Sequence, residues 1–150
     1  MVDRQARDIL AEAIRHFVSR LSTNYRFDDV AFDLSTKDRG VLEIREQIWC
    51  LYDDLHEHKL DGEYALNDQQ REIIHRIVMF LKSDTEYPWP KVPVWYRIGR
   101  PFIWLLSLGM LPKTLDERYS RNLDMSVWPY RSVDEIERAR RHPKYLAGIA

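Results

Sequence analysis

Carboxylates and imidazoles crowd one short stretch, residues 53–58, which read D-D-L-H-E-H. Asp54, His56 and His58 could hold a metal ion there and support a small metal-dependent hydrolase. Glu72-x-x-His75 has the spacing by which di-iron helical bundles present their ligands. Asp53-x-x-His56 makes a second such pair, and Glu12 with His16 offers a third helix's contribution. Bundle metals, however, are held by side chains that project into the core. At about 100° per residue, the apolar stripe of the third helix centres between Ile74 and Ile77, and Glu72 and His75 fall on the opposite side. Asp53 lies away from the face of Ile48 and Leu55, His56 only at its edge near Trp49, and Glu12 and His16 point away from Ile14 and Phe17. The helices can bury their apolar faces or this ligand set, not both. The metal-binding alternative that remains is the surface set Asp54, His56 and His58; otherwise no cofactor is expected.

Other chemistries find less support. Cys50 sits beside Trp49 in the middle of an expected helix, where a buried, inert thiol is the usual outcome. The five glycines, Gly40, Gly62, Gly99, Gly109 and Gly148, are spread too widely for a phosphate-cradling loop. No G-x-S-x-G, H-E-x-x-H or C-x-x-C occurs. Asp28-Asp29 and Asp53-Asp54 are adjacent pairs, and adjacent side chains on a helix diverge. The basic run Arg138, Arg140, Arg141, His142 and Lys144 follows Asp134, Glu135 and Glu137, which reads as charge matched to a helix dipole. A broad basic stripe with exposed stacking aromatics is missing, so nucleic acid is not an expected partner.

Binding chemistry gathers instead between Tyr87 and Pro112, which holds three of the five Trp and five of the seven Pro. Trp89, Trp95, Tyr96, Arg97 and Arg100 are of the types that dominate binding energy, on a segment stiffened by proline. The expectation is a docking surface for a protein partner at these five residues. A competing reading has Trp89, Trp95, Tyr96, Phe102, Ile103 and Leu105 close over the helices and complete the core. Pro88, Pro90 and Pro93 make 87–93 an extended, polyproline-like arm. Pro101 suits the first turn of a helix through about Leu108, with Gly109 as its stop; a short helix from Val94 to Arg100, kinked into the next, is the alternative.

The elements that must position these residues are helical. Ala6, Ile9, Leu10, Ala13, Ile14, Phe17, Val18 and Leu21 share one face of a helix over 3–21, with Asp3 as N-cap. Residues 22–38 alternate only in part and read as an irregular crossing that pins Phe27, Val30, Phe32 and Leu34 to the core. A second helix is predicted over 37–58 with Val41, Ile44, Ile48, Leu51, Tyr52 and Leu55 inward, Leu42 and Trp49 on its flank, and Gly40 tolerated near its start. A turn follows at Asp61-Gly62. Asn67 then caps a third helix over 68–83 that buries Ile73, Ile74, Ile77, Val78, Phe80 and Leu81. Ser132-Val133-Asp134-Glu135 is a capping box that opens a last surface helix, ending before Pro143 and burying Val133, Ile136 and Ala139.

The predicted fold is mainly α: a single-domain irregular helical bundle of about five helices with a Pro/Trp-rich extended arm. Residues 1–86 form a three-helix layer, 87–112 the arm and an apolar helix, and 113–150 a turn-rich basic tail. A length of 150 residues suits one such domain. The net charge of −1 conceals a segregation: residues 28–86 carry −8 and residues 87–150 carry +5. The two parts either attract each other within one fold or offer faces to partners of opposite charge. One cysteine excludes an internal disulfide, and the charged start M-V-D-R-Q-A-R-D lacks a signal peptide's apolar run, so the expected location is the cytoplasm. The functional expectation is a non-enzymatic protein-binding module of adaptor or toxin-neutralising (immunity-like) type. The alternatives are the metal-dependent hydrolase and a peripheral membrane-surface protein. An exposed apolar 101–111 helix would also let the chain form a homo-oligomer.

Overall fold

Residue 7 is an arginine at a helix position that faces the core, and three helices converge on it. In the computed structural model, which describes residues 1–88 and 126–141, these helices are α1 (Arg4–Val18), α3 (Arg39–Trp49) and α4 (Asp68–Leu81). Between the first two lies α2 (Asn24–Phe32), and α5 (Val133–Arg141) closes the set. No strand occurs among the described residues, so the mainly helical architecture is as the hydrophobic periodicity predicts.

Asp3 caps α1 by accepting the Ala6 amide at 3.1 Å. Leu10, Ala11, Ala13, Ile14 and Phe17 are buried, as a 3.6-residue period requires. The helix stops at Val18, where Arg20 takes a left-handed φ of 62° and the Leu21 amide returns to the His16 carbonyl at 2.9 Å. Leu21 is therefore thrown outward and is exposed, not part of the apolar face.

The expected irregular crossing over 22–38 contains a nine-residue helix, α2. Thr23 caps it through its hydroxyl, and Asn24, Phe27 and Ala31 make its buried face. Phe27 stacks on Phe17 at 5.3 Å between ring centroids. Of the four residues expected in the core, Phe27 is buried and Leu34 packs against it, but Val30 and Phe32 are exposed. A helix has one inward stripe, and these two lie outside it.

Helix α3 starts after Asp38, two residues later than the predicted start at 37, and Asp38 caps it by accepting the Gly40 amide at 2.9 Å. It ends at Trp49, nine residues short of the predicted His58. Buried Asn24 takes over the chain beyond it. The Asn24 side-chain amide donates to the carbonyls of Asp53 and His56, both at 2.9 Å, and its oxygen accepts the His58 amide at 2.8 Å. Asp53 also accepts the Leu55 amide at 2.8 Å, the local side-chain bond by which Asp competes with helix. Tyr52 turns its ring edge-on to Phe17 and Phe27, while Leu55 is exposed. Cys50, expected to be buried, is exposed at the helix end.

Helix α4 carries the expected capping box, Asn67 with Gln70, and buries Ile74, Ile77, Phe80 and Leu81. Val127, Trp128 and Tyr130 join the same core. Tyr130 meets Phe80 edge-on at 5.4 Å, and the Trp128 indole donates to the Tyr87 hydroxyl at 2.8 Å. The α5 helix lies on the surface as expected, burying Ile136 while Val133 is exposed. Its Glu135 amide meets the Ser132 hydroxyl at 3.4 Å, and the Glu135 carboxylate returns to the Arg131 amide at 2.9 Å.

Arg7 knits the layer together. It is fully buried, with a 2.7 Å ion pair to Asp38, itself 3% exposed. Its guanidinium also donates to the carbonyls of Ser83 and Thr85 at 2.8 and 2.9 Å, just beyond α4, and lies 4.8 Å from the centre of the Phe80 ring. Gly40 serves this junction: a Cβ there would sit 3.0 Å from Phe80 and 3.1 Å from the guanidinium.

Candidate functional site

Helix α2 presents two aromatic and two acidic residues on one side. Tyr25, Asp28, Asp29 and Phe32 follow the i, i+3, i+4, i+7 pattern that places side chains in one row, over about 10 Å of helix. Asp33 continues the row. Across from it, the last residue of α3, Trp49, completes a cleft of about 490 Å³ lined by Asp28, Asp29, Phe32, Asp33 and Trp49. Phe32 is 42% and Trp49 44% exposed, so both offer ring surface to solvent at the cleft.

The electrostatics of this cleft are one-sided. Asp29, Asp33 and Asp54 make no ion pair or hydrogen bond among the described residues. Asp28 accepts a hydrogen bond from the Tyr52 hydroxyl. Burial, followed by the charges of Asp54 and Asp29, holds its carboxyl above the usual range despite that bond. Burial, the same hydrogen bond and the neighbouring charges push the Tyr52 hydroxyl far up, so it stays a donor. Next to the cleft, Arg45 of α3 lays its guanidinium 4.7 Å from the Phe32 ring centre, with Glu46 at 3.4 Å. Unpaired carboxylates beside part-exposed aromatic rings are a chemistry that favours cationic groups.

The other expected sites fare differently. Trp89, Trp95, Tyr96, Arg97 and Arg100 lie outside the described residues, as do the rest of the arm from 89 onward and the helix expected after Pro101. Asp54, His56 and His58 fall in the Asn24-held loop, not at a helix end. His56 lies 3.6 Å from Asp53. The His58 Nδ1 sits 2.8 Å from the His56 carbonyl and so carries the proton, while its ring stacks on Tyr64 at 3.8 Å. No three His, Cys, Asp or Glu side chains among the described residues group to hold a metal ion. Glu72 and His75 point to solvent, and Glu72 pairs with Arg140 at 3.2 Å. Arg138 and Arg141 are also engaged within α5, with the Asp134 carbonyl and with Glu137. No helix among the described residues is long and apolar enough to cross a membrane.

Sequence reasoning missed the cleft because it placed Phe32 in the core and Trp49 on the flank of a longer helix. The available signal was the Y-x-x-D-D-x-x-F spacing of residues 25–32, which acquires meaning once Thr23 is recognised as a cap. Comparison with protein-family models, with curated proteins and with solved structures finds no match.

Proposed function

We propose that this protein is a non-enzymatic, cytoplasmic protein-binding module of adaptor or toxin-neutralising type. Its docking face is the α2–α3 cleft, and its partner presents a basic surface. The observation that carries this reading is the coincidence of exposed Phe32 and Trp49 with the unpaired carboxylates of Asp29 and Asp33. Aromatic rings supply desolvated contact area at a binding interface. The carboxylates repel one another until a cation arrives, which favours a positive partner and speeds its approach. The same charge disfavours nucleic acid, whose phosphates it would repel. The segment bearing Trp89, Trp95, Tyr96, Arg97 and Arg100 is proposed as a second contact region of opposite charge.

Affinity capture from the native host tests the reading, comparing wild type with Phe32→Ala/Trp49→Ala and with Asp29→Asn/Asp33→Asn. All four positions are solvent-facing, so both variants should keep the wild-type circular dichroism. The expected result is one protein with a basic contact surface, retained by wild type and lost by both variants. Capture unaffected by either variant contradicts the reading. Self-association abolished by the same substitutions would make the occupant a second copy of this chain and overturn it too.

A further inference from the structure

We infer, resting on the cleft reading above, that the group seated between Phe32, Trp49 and the α2 carboxylates is an arginine side chain of the partner protein, not a lysine. The chain itself supplies the geometric precedent. Arg45 lays its guanidinium 4.7 Å from the centre of Phe32, with a carboxylate oxygen of Glu46 at 3.4 Å. Phe32 nevertheless stays 42% exposed, and Trp49 makes no ring contact among the described residues. A second planar cation therefore meets an open indole and two carboxylates without partners, Asp29 and Asp33.

Arginine and lysine differ in what such a cleft can use. A guanidinium is flat, weakly hydrated and able to stack on an aromatic face while its edge donates to a carboxylate. An ammonium is a compact, strongly hydrated point charge that gains from the carboxylates but little from the rings. A purely apolar side chain would cover Trp49 and leave Asp29 and Asp33 partly desolvated with no cation, which is costly. The cleft's mixture of flat apolar walls and acidic rim fits the guanidinium on both counts.

Three otherwise identical short peptides test this with the full chain: one bearing arginines, one lysines, and one citrullines, which are flat but uncharged. Binding is followed by fluorescence anisotropy of the labelled peptide. The arginine peptide should bind about tenfold more tightly than the lysine peptide, and the citrulline peptide more weakly than either. Trp49→Leu should erase the arginine preference while leaving lysine binding nearly unchanged. Asp29→Asn/Asp33→Asn should weaken both cationic peptides. Arginine side-chain protons should shift upfield by ring current in wild type and not in Trp49→Leu. Equal binding of the arginine and lysine peptides overturns the arginine assignment and leaves the basic-partner reading standing. Binding of neither, or an arginine preference that survives Trp49→Leu, overturns the assignment as well; the capture experiment then decides the basic-partner reading separately.

Discussion

Replacing Arg7 with methionine removes the cation on which α1, α3 and the end of α4 converge, while keeping a long apolar stem. Four hydrogen bonds go with it: two to Asp38 at 2.7 and 3.2 Å, and those to Ser83 and Thr85 at 2.8 and 2.9 Å. Asp38, at 3% exposure, would keep only backbone amides and no counter-ion. Removing one partner of a buried pair in this way costs about 3–5 kcal/mol. Against a typical total of about 5–15 kcal/mol for a domain, that is a large fraction of the whole. At roughly 2–4 °C per kcal/mol for this size, Tm should fall by about 6–20 °C. The double variant Arg7→Met/Asp38→Asn should be less damaged than the sum of the singles, by on the order of 2 kcal/mol, because it leaves no buried charge alone.

Proton linkage gives an independent readout of the same pair. Burial alone would raise the Asp38 carboxyl, but the Arg7 hydrogen bond, the Asp3 amide and the Arg7 charge outweigh it and hold it below its ordinary value. A carboxyl lowered in the folded state stabilises the fold above its unfolded pKa, and that stability is lost as pH falls through the folded one. Wild type should therefore weaken in acid below the ordinary carboxylate range, and Arg7→Met should lose less in that window. Urea unfolding followed by circular dichroism across pH measures both effects. A cost below about 1 kcal/mol for Arg7→Met, with additive singles, would refute the reasoning.

Two further outcomes follow from the loop and the cleft. Asn24→Ala should cost about 2–4 kcal/mol, since it strips three buried-side hydrogen bonds from residues 53–58; hydrogen exchange should quicken there, and unchanged exchange would contradict the account. Asp28 is raised in the folded state, so its contribution is present at low pH and lost as pH rises through its folded value. Asp28→Asn should accordingly match wild type in acid and become the more stable of the two as pH rises, in the same unfolding titration; the opposite trend would count against a cost of burying the Asp28 charge beside Asp54 and Asp29.

How much of this was legible depended on how local each cause is. Asp3 and Asn67 are caps whose partners lie three residues away, and the apolar faces of α1 and α4 repeat over several turns, so these helices could be read directly. The end of α3 could not: Leu51, Tyr52 and Leu55 continue a helical pattern, and what diverts them is Asn24, far back in the chain. Arg7 shares its stripe with Leu10 and Ile14, which was a visible sign of a buried charge, but its partner Asp38 lies 31 residues on, where it both caps α3 and pairs with the guanidinium. α2 was masked by the partial alternation of Phe27, Val30, Phe32 and Leu34. Once Phe32 and Trp49 were placed by hydrophobicity alone, the acidic row beside them had no binding surface to belong to.

Hydrogen exchange on the full chain, with and without the protein it captures from its host, tests the central claim most directly. Protection on binding should appear in α2 from Tyr25 to Asp33 and around Trp49, and should be absent when Phe32 and Trp49 are both alanine. Protection confined to other faces of the described helices, with α2 unchanged, would contradict it.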